Sequence, residues 1–220
     1  MTKIGNLKKL FNKHKIDGYL IPKNDEFFNE YVSEEKDNLN FISNFSGSYG
    51  FALILKKKNY LFVDGRYTIQ AEIESKKNFK IVNYQKIVNC NLFKNLTLGI
   101  DPKLFTSLQI QNFFLKNNKI KLIEKNLIDQ ISKKKIQNKK PFFTISSKIV
   151  GQNSKFKINK IRSFIKDNES DWIFISAPEN VAWLLNIRGH DNPNSPIPNC
   201  SLLMSNNTIY LITKRKNQNN

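Results

Sequence analysis

With 220 residues, 40% of them apolar and 12% aromatic, the chain can bury one large or two modest cores, which excludes a disordered tail. The two cysteines, Cys90 and Cys200, exclude a disulfide scaffold and point to a reducing, cytoplasmic setting, and no apolar run approaches the roughly 20 residues of a bilayer-spanning helix. The formal net charge of +18 brings nucleic acid into view, but the only arginines are Arg66, Arg162, Arg188 and Arg215, and the lysines are spread along the whole chain, which argues for solvated surface over a phosphate-reading patch.

In chain order, Ile4, Leu7, Leu10 and Phe11 recur at helical spacing and predict an amphipathic helix over 3–14. Asp17-Gly18 ends it and opens a strand through Ile21, stopped by Pro22. Residues 25–45 carry Phe27, Phe28, Tyr31, Leu39, Phe41 and Ile42 among charges and suit short helices crossing a sheet edge. The runs 51–55 and 60–63 form a hairpin around Lys-Lys-Lys-Asn, apolar enough to be covered on both faces. Asp64-Gly65 opens a helix with Tyr67, Ile69, Ala71 and Ile73 among its body residues; 79–84 and 96–100 read as strands. Ser107 is placed to cap a helix carrying Leu108, Ile110, Phe113 and Phe114, followed by a strand at 120–123 and a helix at 127–137. Pro141 and Phe-Phe-Thr-Ile-Ser-Ser mark a boundary, giving domains 1–140 and 141–220. Beyond it a helix with Ile158, Ile161, Phe164 and Ile165 on one face leads to a strand at 172–176, and the tail after 212 reads as frayed.

The two halves repeat. Helix, strand, a crossing segment with an Asn and a Gly (Asn44…Gly47, then Asn186…Gly189) and a hairpin occur first at 3–63 and again from the helix carrying Ile158 to Ile212. The first copy runs on into further helices and strands, and the second stops after its hairpin. The expectation is an α/β fold with one whole domain and an incomplete second copy.

Little chemistry is legible. His14 has no partner at helical spacing, and His190, beside Asp191, stands in a loop next to Gly189. Ser46-Gly47-Ser48 is only superficially a nucleophile turn, because it lacks the preceding Gly spacing and no His is placed in sequence to suggest a base. Asp64 at a helix start can accept backbone N–H bonds, and Arg66 and Tyr67 then project from the first turn, either toward a partner's carboxylate or as one half of an Arg–Asp brace. Asn186 and Arg188 on the second crossing segment read as internal braces or interface groups, bracing being favoured. Lys133-Lys134-Lys135 with Lys139-Lys140 is the densest basic run.

Three stretches carry a resemblance. Asp25-Glu26 with Glu30-Tyr31-Val32, Phe45-Ser46-Gly47-Ser48-Tyr49-Gly50, and Leu61-Phe62-Val63-Asp64-Gly65-Arg66-Tyr67-Thr68-Ile69-Gln70-Ala71 resemble the amino-terminal domain of Xaa-Pro aminopeptidases, of the creatinase/prolidase type. Ala182-Trp183-Leu184-Leu185-Asn186-Ile187-Arg188-Gly189 with Asn194-Ser195-Pro196 is similar to the opening of the middle domain in three-domain members. Tyr49 stands where an Ala is usual and His190 where a Ser is common. The resemblance implies a ribonuclease-H-like mixed sheet with flanking helices. It also implies two manganese or similar ions in a carboxy-terminal catalytic domain absent from this chain, so that no cofactor and no catalytic residue is expected here. What it implies for the segment around Asp64, Arg66 and Tyr67 is subunit contact and access to the active site. The expected partners are a second copy or a metallopeptidase catalytic domain, with peptide substrate met only through that domain; neither a membrane nor, given the lysine spread, nucleic acid is expected.

Overall fold

Residues 2–87, 93–113, 117–132 and 140–214 are described by the computed structural model. Cys90, Phe114, Lys133-Lys134-Lys135, Lys139, the end of the helix expected to reach 137, and the tail from Arg215 lie outside the described residues. The chain divides into two units, Met1–Ile136 and Gln137–Asn220.

In the first unit, helix α1 (Lys3–His14) starts where the Thr2 hydroxyl accepts the Gly5 N–H at 3.1 Å and stops at Lys15, whose φ of 50° is left-handed. Leu7 and Phe11, one turn apart, are its buried stripe. Strand β1 (Gly18–Pro22), helix α2 (Asn38–Ser43) and the hairpin strands β2 (Gly50–Leu55) and β3 (Asn59–Val63) follow. After a 3-10 turn (Gly65–Tyr67) come α3 (Thr68–Ser75), β4 (Lys80–Asn83), β5 (Thr97–Ile100), α4 (Ser107–Phe113), β6 (Lys119–Leu122) and α5 (Leu127–Ile131). The six strands form one mixed sheet in the order β4-β3-β2-β1-β5-β6. Only β2 runs against its neighbours, so the carboxyl ends of β1, β3, β4, β5 and β6 share one edge of the layer. This is the α/β architecture of a mixed sheet with flanking helices that the sequence leads one to expect.

Both sheet faces are covered. Tyr19, Ile21, Ala52, Ile54, Leu61 and Val63 pack with α1, α2 and α5, while Leu20, Phe51, Leu53, Tyr60 and Phe62 pack under Ile87, Phe93, Phe105 and Ile110. Two details depart from expectation, and α3 shows its own arrangement. Within 25–45 only α2 is helical, because the buried Asp25 carboxylate ties 25–29 into a turn. The cap of α4 is Thr106, not Ser107: the Thr106 hydroxyl accepts from Gln109 N, and the Gln109 side-chain oxygen accepts from Thr106 N. Ile69 and Ile73 of α3 face out, 74% and 70% exposed, since Ala71 and Ser75 occupy the inner side.

In the second unit, β7 (Phe143–Thr144) and α6 (Ser147–Val150) precede α7 (Ser154–Asp167), β8 (Trp172–Ile175), α8 (Pro178–Leu185), β9 (Ile187–Arg188), β10 (Cys200–Ser205) and β11 (Ile209–Thr213). Its sheet runs β11-β10-β8, the counterpart of β3-β2-β1, and β7 pairs with β9. The repeat extends to single residues. Helix α2 ends on Asn44 and α8 on Asn186, both left-handed at φ 61° and 55°. Three residues on, a Cβ at Gly47 would fall 2.2 Å from the Phe45 ring and one at Gly189 would fall 2.9 Å from Pro198, so only glycine fits either site.

The registers match as well. Leu20 pairs with Leu53 and Leu53 with Tyr60 in the first sheet; Phe174 pairs with Leu203 and Leu203 with Tyr210 in the second. The first set is sealed, with Leu20 at 1%, Tyr60 at 3% and Phe62 at 0% exposure. Their counterparts Phe174, Tyr210 and Ile212 are 58%, 54% and 49% exposed, because among the described residues of this unit nothing takes the place of Phe93 and Ile110. Phe164 of α7 is also 55% exposed, against the expectation that it shares the buried face with Ile165.

Equivalent truncations therefore have unequal costs. Leu20→Ala is expected to destabilise the first unit by about 2–5 kcal/mol, whereas Phe174→Ala stays within about 0.5 kcal/mol. Urea unfolding checks this, with fluorescence of Trp172 and Trp183 reporting the second unit and circular dichroism following both.

Candidate functional site

The sequence-predicted residues Asp64, Arg66 and Tyr67 stand at the carboxyl end of β3. Asp64 caps the turn that leads into α3, its Oδ1 accepting from Arg66 N at 3.0 Å and from Arg66 Nε at 2.9 Å. Hydrogen bonds from the Arg66 side chain and then from the Arg66 backbone N–H hold the Asp64 carboxyl below the usual carboxylate range. The same pairing raises Arg66, whose side chain is 75% exposed and lies 5.5 Å over the Tyr67 ring. Tyr67 packs edge-on against Phe45 at 5.9 Å, and its hydroxyl is 2.8 Å from the Ser48 hydroxyl. The Arg–Asp brace and an outward guanidinium thus coexist.

Around Arg66 the carboxyl ends of the strands open into a cleft of about 520 Å³, lined by Lys23, Asn24, Phe28, Asn29, Glu30, Ser48, Tyr49, Tyr84, Gln109, Asp64 and Arg66 itself. Crevices beyond the carboxyl ends of parallel strands are where open α/β sheets place ligands. Tyr49 and Tyr84 stack edge-to-face across one wall at 5.1 Å, and burial followed by the neighbouring Tyr84 and Asp64 pushes the Tyr49 phenol up. Lys23 is taken by an ion pair with Asp37.

The serine turn is engaged otherwise. Ser46 N–H and hydroxyl both donate to the Glu74 carboxylate at 2.7 Å, and Gln70 donates to both groups. Burial pushes Glu74 up, but these bonds outweigh it and hold the carboxyl low. His14 Nε2 is buried without a hydrogen-bond partner, and His190 lies against Phe143 at 5.3 Å while Asp191 accepts from Asn199 N at 2.8 Å.

Asn186 and Arg188 lie in the second unit. Asn186 ends α8, donates to Gln152 O at 2.9 Å and accepts from the buried Lys157 ammonium, which also donates to Trp183 O and sits 4.4 Å over the Trp183 ring. Burial, then the charge of Arg188, pushes Lys157 down. Arg188 donates to Ala182 O at 3.2 Å and Ile187 O at 2.9 Å. No sequence signal marked Lys157, Tyr84 or Phe28 as parts of these arrangements, since each depends on a partner distant in the chain.

The family model of the creatinase/prolidase N-terminal domain matches residues 3–124, and a second model of the same description matches 132–220. The chain belongs to the creatinase/prolidase N-terminal domain family. Among relatives of this family member, Xaa-Pro aminopeptidase 1 of Dictyostelium discoideum is 31% identical over 216 residues, covering 89% of this chain and 34% of the relative. A probable Xaa-Pro aminopeptidase P of Coprinopsis cinerea is 30% identical over 205 residues, covering 87% and 33%. The chain thus spans about a third of the length of the curated relatives it matches. The X-prolyl aminopeptidase of Caenorhabditis elegans, described as a cytosolic enzyme with a di-nuclear active site, superposes with a TM-score of 0.86 at 24% identity over 96% of this chain and 38% of that one, which supports the fold.

The described residues of this creatinase/prolidase-type chain do not fit a metal centre. Among the described residues, no three His, Cys, Asp or Glu side chains converge where an ion would sit, and Asp64 and Glu74 are committed to cation and hydroxyl donors. Nor is any described helix long and apolar enough to cross a membrane.

The Asp64 cap has a pH signature. A carboxyl held low in the folded state contributes stability above its unfolded value of about 3.9, and that contribution fades as acid protonates it at still lower pH. Carbon-detected NMR titration of Asp64 is expected to give a midpoint below that value, and Arg66→Gln to move it back toward it.

Proposed function

We propose that the chain is the non-catalytic amino-terminal part of a cytoplasmic Xaa-Pro aminopeptidase, serving subunit contact and access to an active site carried elsewhere. In that reading two manganese or similar ions and the peptide-cleaving groups belong to the part of the relatives that this chain does not span. A match of both family segments in order, over about a third of the relatives' length, supports it. Domains at 1–140 and 141–220 suit the same reading.

The observation that carries the contact role is the outward pair Ile69 and Ile73 on α3, spaced i, i+4. Two isoleucines more than two-thirds exposed on one short helix, beside a braced guanidinium, have the anchor pattern by which a helix docks into an apolar groove. The partner on this face is a second copy of the chain. With +18 on each copy, association strengthens as salt screens the repulsion.

Light scattering after size exclusion is expected to show a dimer at high protein concentration, and an Ile69→Lys, Ile73→Lys double variant to be monomeric with unchanged circular dichroism. A wild-type chain that stays monomeric across the salt range would sink the contact role. Incubated with manganese and a Xaa-Pro peptide, the chain alone is expected to release no N-terminal residue. Metal-dependent release would overturn the non-catalytic reading.

A further inference from the structure

The cleft beside Arg66 has features that subunit contact through α3 does not use. Its rim is held in a strained shape. Phe28 has a φ of 56°, a conformation that costs a bulky residue on the order of 1–3 kcal/mol, and it is 45% exposed rather than rewarded by burial. The turn that imposes this is built around the Asp25 carboxylate. That group is 2% exposed and accepts from Phe27 N at 3.0 Å, Asn29 N at 3.2 Å and Asn29 Nδ2 at 2.9 Å, with Lys36 Nζ at 3.7 Å.

Adjoining the cleft is a small hollow of about 40 Å³, lined on one side by the apolar Pro22, Gly50, Phe51 and Phe105 and on the other by Lys23, Asn24, Tyr49 and Gln109, which it shares with the larger cleft. A hollow of that size has room for a small side chain such as that of valine or proline. At the mouth the cation on offer is Arg66, because Lys23 is held by Asp37. Glu30 on the rim opposes a second negative charge. The exposed rings of Phe28 and Tyr49, 45% and 42% accessible, supply flat walls between the two.

We propose that this cleft binds an extended peptide segment through one carboxylate set against the Arg66 guanidinium, with a small apolar side chain next to it seated in the hollow. The guanidinium keeps its fork for a planar carboxylate because Asp64 orients it through Nε. The ring walls confine the peptide backbone, and the strained Phe28 holds one wall in place before binding.

The test uses nitrogen-15 NMR of the whole chain with acetyl-Gly-Val-Asp-Gly-amide. Controls replace Asp by Asn or Val by Gly, and acetyl-Gly-Gly-Val with a free carboxyl end asks whether a chain terminus serves as the carboxylate source. Saturable shifts are expected at Phe28, Ser48, Tyr49 and Arg66, weakened about tenfold by the Asn control and by Arg66→Gln, and weakened also by the Gly control. Phe28→Gly is expected to relieve the left-handed strain, leave the fold at least as stable, and still weaken binding. An acidic peptide that binds equally well to Arg66→Gln, or equally well with Gly in place of Val, reports only the general positive charge of the surface and overturns the proposal, as does the absence of saturable shifts in the cleft. An Ile69→Gln, Ile73→Gln variant, which removes the apolar pair without adding charge, is expected to bind unchanged, so this result stands or falls separately from the dimer.

Discussion

A strand that is apolar on both faces has to be covered on both, and in this chain that requirement falls on the middle strand of each hairpin sheet. In the first unit β2 is buried along nearly its whole length, one face under α1, α2 and α5, the other under Phe93, Phe105 and Ile110. Everything else in that unit follows from making this possible. The αL asparagine and the close-packed glycine return the chain from the crossing helix to the sheet, and the lone antiparallel strand leaves the carboxyl ends of its neighbours on one edge. The cleft forms there because strand ends at a single edge leave a crevice that side chains can only line.

The second unit uses the same device and meets only half of the requirement. Cys200, Leu202 and Met204 are sealed against α7 and α8, while Phe174, Tyr210 and Ile212 stay open where Leu20, Tyr60 and Phe62 are closed. The hydrophobic stabilisation per residue is therefore unequal between two copies of one pattern, and the Trp172–Tyr210 stacking at 6.0 Å gives the open face only partial self-cover. Buried polar groups show the opposite economy: Lys157 and Asn186 satisfy each other and the end of α8, so a lysine at 3% exposure acts as a helix-end brace.

The site was partly legible. Asp64, Arg66 and Tyr67 were visible as a cap followed by two projecting groups, and the ion pair and the outward guanidinium are both present. Which side of α3 turns inward was not legible: Ile69 and Ile73 fit a helical period and face solvent, because the period fixes which residues share a face but not which face turns inward. Thr106 in place of Ser107 is a one-residue error of the same kind, decided by the reciprocal bond with Gln109. Phe28 and Tyr84 could not be read as cleft residues, since they reach Arg66 only through the turn at Asp25 and the parallel pairing of β3 with β4.

By itself the sequence determined the elements, the repeat and the α/β class, because apolar period, Asp-Gly and Asn…Gly punctuation and helix caps act over a few residues and need no distant partner. Only the tertiary structure decided which apolar faces are closed, which way α3 turns and that a cleft lies beside Arg66, because each of those is set by what another part of the chain places opposite.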